Sequence, residues 1–424
     1  MDDSGGQRVL RAFRGLTAPS RMLVVNQLGI NLGFYLVLPF LAVHMADLGF
    51  AAATIGLVLA LRVLSQQGLF LVGGSAADRL GCRPMILLGC ALRIVAFGLF
   101  VVVDELPGLI AAAALTGLAG AFFNPAVRAY LMHEAGDRRA EVFSVFNVFG
   151  HVGTLTGPLL GAALLAVDFR LVAGVACAVF TVLTVAQLFA LPGRPVIPQD
   201  RGVLGSWGEV AGNRRFLLFA LGGAGYFALF NQLYLAFPVE AQRVSGVAGA
   251  VSAVFVISTL IGIAGQVRIT EWCRARWTDG RSMAAGLALM GAGFVPIGLS
   301  APFLATAPAG EWTPAGLLTV APVLVGTAVF TVGQAMTNPF SLALLPRVGS
   351  EQLVGTYYGY FYLVSAVVVA ITHTAVGDLL DRFPDGPGRW VPFAVLLAIG
   401  LAGAAVVGWM QRTGRLEPRP AHAP

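Results

Sequence analysis

The chain has 424 residues, 57% hydrophobic and only 11% charged, with a formal net charge of +6. Soluble domains carry about 25% charged residues, so a water-facing surface of ordinary polarity is excluded, and the mean hydropathy of +0.80 agrees. All 27 basic residues are arginine, and their distribution reads as a topology signal rather than a nucleic-acid-binding surface.

Continuous apolar runs of about 20 residues cross a bilayer as helices, whereas barrel strands need about ten alternating residues. Twelve such runs follow in chain order: 22–46, 52–77, 84–103, 107–131, 140–166, 170–191, 215–239, 247–270, 281–302, 314–343, 352–379 and 390–411. Each is expected to be helical throughout, because lipid offers no partner for a free amide or carbonyl. The first run is too long for a signal-peptide core and is expected to be retained. Alternating the runs places 21 arginines with the termini and one set of loops. Only Arg170, Arg243, Arg382 and Arg389 fall in the other set. The positive-inside rule puts the rich set and both termini in the cytoplasm. Arg62 and Arg93 lie inside runs. Cys82, Cys90, Cys177 and Cys273 show no metal spacing and read as reduced thiols.

The stretch after the sixth run, LPGRPVIPQDRGVLGSWGEVAGNRR, divides the chain into a bundle over 1–191, a linker over 192–213 and a bundle over 214–424. Asn124–Pro125 in the fourth run and Asn338–Pro339 in the tenth sit 214 residues apart, at matching places in the two halves. Each proline frees a backbone carbonyl and is expected to break the local helix. Repeats of this kind place a substrate site near the bilayer midplane between the halves.

Between the second and third runs lies Gly74-x-x-x-Asp78-Arg79-x-Gly81-x-Arg83. Its glycines suit close helix approach and a tight turn. Asp78 suits a helix N-terminus, and the two arginines suit acids of adjacent loops or lipid headgroups. Such a cluster makes a breakable cytoplasmic lock. The pattern resembles the signature loop of the major facilitator superfamily. Span five adds Gly153-x-x-x-Gly157-Pro158-x-x-Gly161, which resembles the motif of that family's twelve-helix drug:proton antiporter branch, the multidrug efflux transporters.

The resemblance implies an all-α membrane fold of two pseudo-symmetric six-helix bundles, with helices five and eight packed closely through the glycine-proline motif. Many antiporters of that branch carry an arginine midway along helix four; here the first is Arg128, near the end of the span. The middles of the spans also hold no Asp or Glu, while Asp47, Glu240 and Asp378 sit toward outer ends. That leaves Arg62, with Gln66 one turn on, and His151 as coupling candidates. Arg62 reads equally as a structural donor, and His151 as a histidine bonded to a facing helix. Helix three is peripheral in the resembling fold, so Arg93 reads as structural. His44 and His373 lie toward the outer third of their spans.

Asn31, Tyr35, Asn124, Tyr226, Asn231, Gln232, Gln334, Asn338, Tyr357 and Tyr358 are the cavity candidates, suited to amphipathic or aromatic ligands. The span-eleven tyrosines read equally as interface anchors. The expected function is gradient-driven export of small hydrophobic or amphipathic compounds, with protons as the coupling ion. The alternative is uptake of a small nutrient. Without lysine there is no Walker loop, and no nucleophile-base or metal-ligand set points to an enzyme. No cofactor or nucleic-acid partner is expected, and the chain reads as a monomer in a bacterial cytoplasmic membrane.

Overall fold

The computed structural model describes residues 12–135, 139–193, 203–308, 314–348 and 354–417. Among them, twelve helices are long and apolar enough to span a bilayer. They are α1 (Ala18–Asp47), α2 (Ala52–Ala77), α3 (Cys82–Val102), α4 (Leu106–Met132), α5 (Val145–Leu165), α6 (Phe169–Ala190), α7 (Arg214–Ser245), α8 (Ala248–Arg276), α9 (Asp279–Phe303), α10 (Gly316–Leu345), α11 (Thr356–Arg382) and α12 (Val391–Arg412). Within the expected linker, Val203–Gly212 forms a further short helix, the linker helix. No strand occurs among the described residues.

Three spans are not the unbroken helices expected. α2 turns at Gly68 and Leu69, between helical stretches Ala52–Gln67 and Phe70–Leu80. α7 stops at Phe230, passes through a 3₁₀ turn over Asn231–Tyr234 and resumes at Ala236. Pro238 explains the second break, since it gives no amide to the carbonyl of Tyr234. α9 breaks at Gly293 and restarts at Val295, with Pro296 in its first turn. The Asn-Pro pairs behave differently. Helices 106–135 and 314–348 run uninterrupted through Pro125 and Pro339. A proline removes one helical bond, and a neighbouring helix can answer the freed carbonyl.

The chain forms two compact units. One holds Met1–Leu41 and Leu69–Asp200, the other Ala42–Gly68 and Arg201–Pro424. The first half of α2 therefore belongs with α7 to α12, and its contacts with α11 explain why. A Cβ on Gly56 would lie 2.4 Å from the His373 carbonyl oxygen, and one on Gly377 would lie 2.3 Å from that of Ala52. Small residues let two backbones touch in this way. The Asp381 carboxylate then accepts from the amides of Ala52 and Ala53, both at 2.7 Å. Those amides have no partner within their own helix, and the carboxylate also meets the positive end of the helix dipole.

The first unit uses the same device. The three motif glycines of α5 lie on α1: added Cβ atoms would meet the Leu28 oxygen at 2.4 Å from Gly153, Tyr35 Cβ at 2.8 Å from Gly157 and the Leu36 oxygen at 2.5 Å from Gly161. The glycine face of α5 thus has α1 as its partner, where the family resemblance implies α8. Below it, Asn26 and Gln187 exchange buried side-chain hydrogen bonds at 3.1 and 3.2 Å between α1 and α6.

Candidate functional site

The break in α7 delivers polar groups to the interior of the second unit. Asn231 and Gln232 are 2% and 0% exposed, and Arg62 of α2 is 4% exposed. Arg62 donates to Gln66 Oε1 at 3.0 Å and to Asn231 Oδ1 at 3.3 Å. Its guanidinium carbon lies 5.5 Å from the Tyr234 ring centroid. The i,i+4 partnership with Gln66 is the one the sequence suggests, while Asn231 is reached across 169 positions. Asn231 in turn donates from its side chain to the Phe227 carbonyl at 2.9 Å, which also takes the Asn231 backbone amide. His373 is wholly buried, with Arg62 and the backbone of Asn231 as its polar surroundings. Tyr226 stacks on Phe230 at 5.8 Å, and Phe230 meets Tyr234 edge-on at 6.4 Å. The result is one cation between two amides, with the Tyr234 ring and a buried histidine beside it.

The other cavity candidates lie elsewhere. Asn31 Nδ2 donates to the Gly150 carbonyl at 2.9 Å, fixing α1 on α5, and Tyr35 packs over Gly157. His151, next to Gly150, is exposed. Asn124 and Asn338 are half-buried on their continuous helices, and the Asn338 carbonyl accepts from Ser341 at 2.9 Å. Gln232 donates to its own helix at Ala228, leaving its side-chain oxygen buried and unbonded, as is that of Gln334. Tyr357 is an end anchor: its hydroxyl accepts from Asn213 at 3.1 Å and its ring meets Phe216 edge-on at 4.8 Å. Tyr358 is half-buried one residue on.

In the α2–α3 turn, Gly81 adopts φ +93°, the conformation that favours glycine, and α3 begins immediately after it. The close approach belongs to Gly73, whose added Cβ would sit 2.0 Å from the Ala121 oxygen; one on Gly74 would meet nothing within 4 Å. Among the described residues Arg83 meets no acid. It donates to the Leu188 carbonyl at 3.0 Å in the last turn of α6, where unpaired carbonyls and the negative dipole end favour a cation. Arg79 is exposed, and the side chain of Asp78 lies outside the described residues. Arg93 lies over the Phe123 ring at 4.6 Å.

Two arrangements escaped the sequence reading. Glu240, 1% exposed, accepts from Arg243 at 2.6 and 3.0 Å and from Arg389 at 2.8 Å. Arg243 continues to Asp385 at 2.8 Å, and Arg389 to the Leu380 and Phe383 carbonyls at 3.0 Å each. The i,i+3 spacing of Glu240 and Arg243 was the available signal. The second is Asp381. Gly377-x-x-x-Asp381-Arg382 repeats the opening spacing of Gly74-x-x-x-Asp78-Arg79 at the far end of another span, and that recurrence could have found it.

Twelve spanning helices, one broken where buried polar groups gather, define a membrane transporter of the helical-bundle class. The chain belongs to the major facilitator superfamily, whose family model matches residues 23–373. It is a transporter and not an enzyme. An uncharacterized MFS-type transporter of Mycobacterium tuberculosis is 42% identical over 398 residues, 93% of each chain. The multidrug resistance protein MdtH of Cronobacter sakazakii is 29% identical, covering 93% of this chain and 95% of that protein. In fold, the chain is similar to a crystal structure of an auto-inhibited POT family peptide transporter. The TM-score is 0.76 at 14% identity, over 96% of this chain and 99% of that one.

Proposed function

We propose that this transporter exports small hydrophobic or amphipathic compounds by alternating access, using a proton gradient across a bacterial cytoplasmic membrane. The observation that carries this reading is the Arg62–Asn231 pair under the Tyr234 ring, which continues through Phe230 to Tyr226 as an aromatic row. A mostly aromatic enclosure with a few convergent polar groups suits a flat or greasy ligand, oriented by one or two hydrogen bonds. The likeness to MdtH, a multidrug resistance protein, supports the direction of transport. In this reading both termini and the arginine-rich loops face the cytoplasm, and the chain works as a monomer of two bundles. Arg62 sets the field around the ligand, and His151 on the exposed face of α5 is the proton-responsive group.

Alternating access also gives Asp381 a role. Its bonds to Ala52 and Ala53 hold α2 and α11 together at the outer ends, and an outward-open state requires that they break. The Gly74–Arg83 turn is the corresponding latch on the cytoplasmic side. The test is reconstitution in liposomes with an imposed pH gradient, loaded with a lipophilic fluorescent cation. Gradient-dependent movement of the dye, abolished by collapsing the gradient, is expected. Transport of a single polar nutrient with no dye movement would replace export with uptake.

A further inference from the structure

We propose that the arginine-rich face of the second unit carries a binding site for a phosphate-bearing anion, separate from the central Arg62 cluster. The site is a cavity of about 720 Å³ at the start of α7, within the size range of small-ligand sites. Arg214 and Arg215 open α7, Arg347 follows α10 and Arg415 follows α12, and all four line this cavity. The positive-inside rule accounts for arginines at this membrane face, but not for four of them converging on one concavity from three places in the chain.

Their commitments differ. Arg347 is paired with Asp279 at 2.7 Å. Arg215 donates to the carbonyls of Arg415 and Glu417, tying the C-terminal segment to α7. Arg415 is exposed and its guanidinium carbon lies 4.3 Å from the Trp409 ring centroid, a contact that uses the face of the group and not its N–H edge. Arg214 is exposed and makes no ion pair among the described residues. Two guanidinium groups therefore line the cavity with no carboxylate partner among the described residues, and planar guanidinium donors fit phosphate oxygens two at a time.

Tyr357 also points to a ligand. It lines the cavity yet is only 3% exposed, and its hydroxyl accepts from Asn213, so its own proton is left to donate. Asn213 caps the Phe216 amide at 3.1 Å, placing the positive end of the α7 dipole at the same wall. The one acid among the described lining residues is Glu209, exposed on the linker helix. Basic pockets at the cytoplasmic ends of spanning helices hold anionic lipid headgroups, and a soluble phosphate has the same chemistry.

The experiment uses the full-length protein in detergent. Native mass spectrometry measures retention of phosphatidylglycerol against phosphatidylcholine, and thermal unfolding is followed with inorganic pyrophosphate. Wild type, the double variant Arg214→Gln with Arg415→Gln, and Glu209→Gln are compared. Preference for phosphatidylglycerol that weakens roughly 30-fold in the double variant and strengthens in Glu209→Gln supports the site with a lipid headgroup as occupant. The same pattern for pyrophosphate, without discrimination between the lipids, supports it with a soluble anion. Equal binding of both probes by wild type and double variant, or no gain in Glu209→Gln, overturns it. Should the double variant fail to fold, Glu209→Gln alone decides, since it removes only a surface carboxylate.

Discussion

Gln266 of α8 donates from Nε2 to the carbonyl oxygen of Ala335 at 3.0 Å, and Ala335 is the residue whose helical donor Pro339 removes. The side chain thus replaces the missing amide, and α10 runs straight through its Asn-Pro pair. The matching carbonyl in α4 is that of Ala121, deprived by Pro125, and there Gly73 of α2 brings its backbone close instead. The two halves share the lesion and repair it differently. Interhelical hydrogen bonds in membranes are worth about 0.6 kcal/mol on average and about 1.7 at most. Gln266→Leu should therefore destabilise by about 1 kcal/mol. Pro339→Ala, which restores the internal donor, should remove most of that cost when the two are combined. A double-mutant cycle on thermal unfolding measures this coupling, and strict additivity would show that the bond contributes nothing.

Gly73 and Gly74 are adjacent but not equivalent. An alanine methyl at 73 would run into the Ala121 backbone, which cannot yield as a flexible side chain would, and Gly73→Ala should cost about 1–3 kcal/mol. Gly74→Ala should stay within about 0.5 kcal/mol, because nothing lies within 4 Å. Equal melting temperatures for the two variants would contradict the α2–α4 contact. If Gly74→Ala melts normally but transports slowly, the position is used in the other arrangement of the helices.

How much of this was legible in the sequence follows from the range of each interaction. The spans were readable because lipid forces hydrophobicity on every turn, and all twelve occur where the apolar runs lie. The Arg62–Gln66 bond was readable because it is one helical turn long. Asn231 as the second partner of Arg62 was not, since it depends on the α7 break and on the first half of α2 packing within the second unit. The break did have a signal in Pro238, yet a proline in a span usually leaves the helix running, as at Pro125 and Pro339. Glu240 shows the opposite failure. The sequence places it only toward the outer end of a span, whereas two arginines, one of them 149 residues away, allow it to be buried.

That burial makes Glu240 a sensitive position in the second unit. Removing a buried carboxylate shared by two cations is costly, because it leaves Arg389 buried with no carboxylate among the described residues and Arg243 with only the exposed Asp385. Glu240→Ala should destabilise by about 3–5 kcal/mol. Asp385→Ala, at the exposed rim of the same network (its side chain is 54% exposed), should cost about 1 kcal/mol or less. Thermal unfolding in detergent gives both numbers, and comparable losses would mean that the buried pair is no more than a surface ion pair.

The cap that Asp381 places on α2 separates stability from conformational preference. Asp381→Asn keeps size and polarity but removes the charge that faces the helix dipole, and a capping carboxylate is worth about 1 kcal/mol. Spread over a two-state equilibrium, that loss shifts the population about five-fold toward separation of α2 and α11. Ile55, on the same first turn of α2, is 1% exposed, so Ile55→Cys reports the shift. In a background freed of the native cysteines, a membrane-impermeant maleimide added from outside should label it about five-fold faster with Asp381→Asn than without. The Arg79→Gln variant, altered at the opposite end of α2, should not accelerate labelling. Equal rates with and without Asp381→Asn would reduce the cap to a local contact with no part in opening.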